Sequence, residues 1–189
     1  MRARLQKYGF FTYGTVIPGL TLHGQPAPYP VLNERAIRAG AGMMFALGLF
    51  AFFQAFYLQE YRFLQVFVLL FFIDFFIKVV IGTRFSPIGR LANLIVRGQT
   101  PEYVGAIQKR FAWTIGLILS GTMLVLLFGF GVQGWPNLTI CGLCLTFMFM
   151  ESAFGICIGC KIYHALLAAG IIPTPAHTPV CPGNACAPE

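Results

Sequence analysis

Charge is what this chain has least of. Of its 189 residues only 10% are charged, with six Asp and Glu against thirteen Lys and Arg, where a soluble domain carries about a quarter. So few charges cannot cover a water-facing surface, which excludes an ordinary soluble fold. Histidine is scarce too: His23, His164 and His177 are scattered, and no pair has haem-like spacing across a membrane. There is no Gly-rich phosphate loop, no His-Glu-x-x-His helix and no Ser-x-x-Lys element, so those phosphate-binding, metalloprotease and acyl-transfer chemistries have no motif here. A cleavable leader is not expected. The basic start MRARLQKYGFF runs into Gly14, Pro18, Gly19 and His23, which interrupt any apolar core of a signal peptide. The N-terminus is therefore expected to be retained.

What is abundant is apolar side chain: 57% of residues are hydrophobic and 20 are Phe. Four apolar stretches, at about 40–58, 63–81, 111–132 and 138–168, each approach or exceed the roughly 20 residues that cross a bilayer core. The expected fold is all-α, an integral membrane bundle of four transmembrane helices with an irregular N-terminal arm. The chain divides into the arm at 1–35, the membrane domain at 36–170 and a Pro- and Cys-containing tail at 171–189. Within the long connection at 82–110, ANLIVRG is expected to form a short interfacial helix.

The net charge of +7 does not indicate nucleic acid, because the basic residues lie between apolar segments. Arg2, Arg4, Lys7, Arg35 and Arg38 precede the first span, and Arg84, Arg90, Arg97, Lys109 and Arg110 occupy the 82–110 connection. The first short turn has only Arg62 and the second, QGWPN, has none. Basic residues favour the cytoplasmic side, so both termini are expected to be cytoplasmic. Trp135 is expected to anchor the outer interface, and Trp113 and Tyr163 the inner one.

Ionisable groups and thiols inside such a chain are candidates for function. Two Cys-x-x-Cys pairs, Cys141/Cys144 and Cys157/Cys160, flank Glu151 in the last apolar stretch. Were that stretch one helix, Cys141 and Cys160 would lie nearly 30 Å apart and the pairs could not share a metal ion. Cysteines three apart share a helix face, a separation that suits a disulfide or one metal. Cys141 and Cys144 fall near the helix start, where the dipole favours a thiolate. Cys157, Cys160 and His164 form a stripe at the cytoplasmic end with Lys161 beside it. There the dipole opposes a thiolate, and Lys161 or protonated His164 would favour it. Cys157 and Cys160 are therefore the redox or ligand candidates. With Cys181 and Cys186 from the tail they would make a four-thiolate set suited to zinc or an iron–sulfur cluster. The plainer reading is packing: Cys is a small apolar residue, and Gly155 and Gly159 form a Gly-x-x-x-Gly crossing motif.

Glu151, near the expected midplane, is either a proton site or a neutral acid bonded to Gln54, Gln65 or a backbone carbonyl. Asp74 and Lys78, four apart, read as a structural ion pair, with Lys78 able to snorkel. Arg84, Lys109 and Arg110 read as positive-inside charge, as an anionic-lipid site or as a site for an anionic substrate.

The segments NERAIRAGAG, IDFFIKVVIGTRFSPIGRLAN, KRFAWTIGL and ESAFGICIGCKIY resemble the bacterial membrane family catalogued as "domain of unknown function 4395", over about residues 33–167. The resemblance implies a small multi-pass protein of four helices in the bacterial inner membrane, with no established activity. It includes Asn33, Glu34, Arg35, Arg38, Asp74, Arg84, Ser86, Pro87, Lys109 and Arg110. In the last span it includes Glu151, Gly155, Cys157, Gly159, Cys160 and Tyr163. Cys141, Cys144, Cys181 and Cys186 fall outside its pattern. Such families often accompany thioredoxin-like or sulfur-handling proteins. Two functions are expected from these features: a thiol, sulfur-redox or metal-binding membrane protein acting through Cys157 and Cys160, or a non-enzymatic accessory subunit of a larger membrane complex. A small transporter built on Glu151 and the inner basic cluster is a third. The expected partners are the lipid bilayer and either other membrane subunits or a thioredoxin-like protein.

Overall fold

The computed structural model describes residues 14–22 and 25–173. Four helices are long and apolar enough to cross a membrane: α1 (Glu34–Tyr57), α2 (Arg62–Phe76, continued by a π-helical turn at Ile77–Ile81), α4 (Ala106–Leu124, continued by another at Val125–Gly129) and α5 (Trp135–Phe154). A short helix α3 (Pro87–Ile95) lies between α2 and α4, and α6 (Ile158–Ala168) follows α5. α1 packs mainly on α5 and α2 mainly on α4, while α4 and α5 touch each other little. The outward surface carries Phe50, Phe53, Phe63, Leu70, Ile118 and Phe128, all exposed, as lipid as solvent allows. The inward stripe of α1 carries the small residues Gly40, Gly48, Ala51 and Ala55, which let neighbouring helices approach closely.

The two ends of the bundle differ. At one end, the turns after α1 and after α4 lie together, and Phe56 meets exposed Trp135 with ring centroids 6.2 Å apart. Beneath them Ala55, Tyr61, Leu64, Leu127, Leu138 and Cys141 form a buried apolar cluster. The opposite end, called here the basic end, carries the N-terminal arm, residues 82–105 and α6.

The arm is more ordered than expected. The two-residue strands β1 (Thr21–Leu22) and β2 (Gln25–Pro26) pair antiparallel, and Thr15 bridges Val31. Strand β3 (Val31–Asn33) pairs antiparallel with β4 (Tyr103–Gly105). Each of these strands runs straight into a spanning helix, β3 into α1 and β4 into α4. Their pairing, extended by Glu34 N–H to Glu102 O at 2.7 Å and Ala106 N–H to Pro30 O at 2.9 Å, therefore sets the first turns of α1 and α4 side by side. α3 begins at an N-cap serine, Ser86, whose hydroxyl accepts from Gly89 N–H at 2.8 Å, followed by Pro87, a favoured N-terminal pair. Its Ala92 and Val96 bury against Ala36 of α1.

The single helix expected over 138–168 is two helices. Gly155 terminates α5 with φ of 68°, a left-handed conformation that glycine adopts without a Cβ penalty. Breaking a helix near lipid leaves carbonyls needing donors. Gly155 N–H and Ile156 N–H return to Glu151 O and Met150 O, and Arg38 of α1 donates to Ser152 O at 3.4 Å and Ala153 O at 3.3 Å. A cation there also matches the negative end of the helix dipole. α6 then packs on the first turns of α4. A Cβ on Gly159 would lie 2.5 Å from the Ala112 methyl, so this position tolerates only glycine. The two glycines of the expected crossing motif thus have separate duties, one stopping a helix and the other admitting α4.

Candidate functional site

The basic end holds a partly open cavity of 1260 Å³. Its walls come from all four spans, from α6 and from the arm, and include Phe75, Lys78, Trp113, Glu151 and Cys157. Because α4 and α5 touch little, Ile115 and Leu119 on one side and Cys144 and Phe147 on the other border this space.

The strand pairing places Glu34 opposite Lys109, and α5 brings in Glu151 from the third side. Lys109 Nζ lies 3.0 Å from Glu34 Oε1 and 2.8 Å from Glu34 Oε2, and it bonds Glu151 Oε1 as well. Glu34 and Lys109 are almost wholly buried. Ionised groups so placed are stable only when paired, and here one ammonium serves two carboxylates. Several expectations change as a result. Glu151 lies in the last turn of α5 rather than at mid-bilayer, because the helix stops at Phe154. Its partner is Lys109 rather than Gln54 or Gln65, which belong to the far end of α1 and the first turn of α2. Of the expected cluster of Arg84, Lys109 and Arg110, Lys109 is committed to these two carboxylates, and Arg84 borders the same cavity. Arg84 and Arg110 are exposed.

A second polar group stands beside this triad. Lys78 Nζ is 2.6 Å from Asp74 Oδ2, and Ser86 Oγ donates to Asp74 Oδ1 at 2.6 Å. Lys78 turns inward rather than snorkelling, because the buried Asp74 carboxylate and two ring faces compensate it. Its Nζ stands 5.3 Å from the Phe75 ring centroid and 5.6 Å from that of Trp113, within cation–π range. Trp113 is buried in the cavity wall, and Tyr163 is buried with its ring 5.4 Å from Phe111.

Cys157 and Cys160 are disulfide-bonded, with Cα atoms 5.1 Å apart. The break at Gly155 reverses their expected electrostatics. Cys157 is the N-cap of α6 and its Sγ accepts from Cys160 N–H at 3.3 Å. It therefore faces the positive end of a helix dipole, which stabilises negative charge on sulfur. Cys157 lines the cavity, whereas Cys160, 1% exposed, is sealed beneath it. Lys161 is exposed. His164 rests edge-on against Tyr163, and partial burial lowers its pKa below the ordinary imidazole value. The α6 terminus thus acts on Cys157 in addition to whatever Lys161 and His164 contribute.

Cys141 and Cys144 are not bonded to each other, and Cys141 belongs to the apolar cluster below the turns. From Cys144 to Gly155 is about 16 Å of helix, so the two pairs stay apart despite the break. Cys181 and Cys186, on which the expected zinc or iron–sulfur set depends, lie outside the described residues, as do His23 and His177. Among the described residues no three His, Cys, Asp or Glu side chains are grouped to hold a metal.

Residues 32–167 match the family described as a domain of unknown function, DUF4395. The chain belongs to that family. The match takes in Glu34, Lys109, Glu151, Cys157 and Cys160, and leaves the first part of the arm and the tail outside. No curated protein and no solved structure matches the chain.

Proposed function

We propose that this chain is a multi-pass membrane protein that exchanges electrons between a thiol partner and its own Cys157–Cys160 disulfide. The observation that carries the reading is the position of Cys157 Sγ, on the N-terminus of α6, in the wall of the cavity and bonded to a buried Cys160. A helix N-terminus stabilises the thiolate and so the reduced form, which makes a disulfide the more oxidising.

The exchange runs in two displacements. A partner thiolate attacks Cys157 Sγ, the Cys157–Cys160 bond breaks, and Cys160 leaves with the electron pair and takes a proton. The second partner thiol, losing its proton, attacks the partner sulfur of the mixed disulfide and expels Cys157 as a thiolate held by α6. The partner gains a disulfide, and two electrons remain on Cys157 and Cys160. A partner of the thioredoxin type suits this chemistry. The excess of Lys and Arg at the basic end favours placing that end, with both termini, on the cytoplasmic side of a bacterial inner membrane.

Removing the second sulfur tests the scheme. In membranes given the partner in its disulfide form, the Cys157 thiolate of Cys160→Ala is expected to attack that disulfide, expel one partner sulfur as a thiol and accumulate a mixed disulfide that reductant releases, and Cys157→Ala is expected to accumulate none. Absence of any mixed disulfide with Cys160→Ala, when the protein is folded and inserted, contradicts the reading.

A further inference from the structure

Resting on that reading, we infer that the cavity binds a membrane quinone, which takes the two electrons from the Cys157–Cys160 dithiol. A dithiol left by exchange must be reoxidised before it can act again. Cys157 and Cys160 are 7% and 1% exposed, and Cys157 borders a space walled by the four spanning helices, α6 and the arm. An oxidant that enters this space between the spans, where α4 and α5 touch little, is soluble in lipid, about the size of the cavity, and able to accept two electrons together.

The wall chemistry narrows the class further. Lys78 and Lys109 are already matched by Asp74, Glu34 and Glu151, so neither is an uncompensated buried cation, and the other cation in the lining, Arg84, is exposed. Its apolar surface, supplied by Phe71, Phe75, Trp113, Ile115, Leu119 and Met148, fits a neutral ring bearing an alkyl tail. The few polar groups fit a head with carbonyl oxygens, for which the Lys78 ammonium in the cavity wall is a donor. The Glu34–Lys109–Glu151 triad holds two carboxylates to one ammonium, so it is charge-neutral with one added proton. That makes it a place from which a proton passes to a reduced quinone oxygen.

The reaction balances within these components. Cys157 and Cys160 each lose a proton and an electron, and the S–S bond forms between them. The two electrons and two protons convert both quinone C=O groups to C–OH.

The test uses full-length protein in detergent, reduced, freed of reductant and mixed anaerobically with decylubiquinone. One quinol is expected per protein, with formation of the Cys157–Cys160 disulfide, and none from Cys157→Ala. Ile115→Phe, which fills the cavity from α4, is expected to raise the quinone concentration for half-maximal rate at least tenfold. The Trp135→Phe protein retains Trp113 as its sole tryptophan, and its fluorescence is expected to be quenched by the quinone with saturation at one site. A dithiol that reduces a thioredoxin-type disulfide but leaves the quinone untouched overturns this inference while the exchange reading stands. A dithiol inert to both overturns the two together. Unaltered quinone kinetics in Ile115→Phe overturn the assignment to the cavity.

Discussion

The two Cys-x-x-Cys pairs of this chain have the same spacing and opposite surroundings. Cys141 and Cys144 sit within the first turns of α5, a helix that continues unbroken past them, and Cys141 is wrapped by Leu64, Leu127, Leu138 and Leu145. Cys157 and Cys160 straddle the start of α6, where the chain has just stopped one helix and begun another, beside a cavity and a buried ion triad. Spacing alone therefore says little about what a thiol pair does. What separates them is a left-handed glycine two residues before Cys157, since it converts the middle of an apolar run into a helix N-terminus. The same contrast holds for the bundle as a whole: one end is closed by apolar packing, and the other is organised by charge.

The comparison breaks most severely at Lys109. Lys109→Met leaves two carboxylates facing each other without their cation, and is expected to cost about 3–5 kcal/mol. Denaturant unfolding of the purified protein in micelles measures it. Restoring part of the loss by adding Glu151→Gln to Lys109→Met would confirm that charge, not side-chain volume, is responsible. At the other end Leu64→Ala is expected to cost about 3 kcal/mol through an apolar cavity, with the alkylation rate of reduced Cys157 unchanged. A change in that rate would show that the two ends are not independent. Gly155→Ala forces a Cβ into a left-handed residue, at about 1–2 kcal/mol, and sets it 3.2 Å from Arg38 Nη1. It is expected to slow disulfide exchange at Cys157 as well, which stopped-flow thiol release would detect. Cys141→Ala is the mildest, at about 1 kcal/mol or less, and should leave exchange unaltered.

The four spans are legible because lipid demands about 20 apolar residues per crossing, and the segments around 40–58 and 63–81 announce themselves by composition. Asp74 and Lys78 are legible as a pair because they are neighbours on one helix face. The triad is not, because Lys109 is 75 residues from Glu34 and 42 from Glu151, and only the pairing of β3 with β4 brings the first two together. Those strands are three residues each, VLN and YVG, too short to show a period. Lys109 lies just before the expected third span, but Glu151 reaches a helix end only because α5 stops at Phe154. Gly155 was readable either as a packing residue or as a helix stop. The order of Gly155, Ile156 and Cys157, with Cys able to cap a new helix, favours the stop only once Arg38 is known to satisfy the freed carbonyls.

The account depends most on Cys157 and Cys160 forming a reversible redox couple at the start of α6. Equilibration of membranes across graded ratios of reduced to oxidised glutathione, followed by differential alkylation and mass spectrometry of each cysteine, tests this directly. The predicted result is one two-electron transition at Cys157 and Cys160, preserved when Cys141 and Cys144 are both replaced by Ala. A Cys157–Cys160 pair that keeps one state across the whole range, or a transition that vanishes with Cys141 and Cys144, would contradict it.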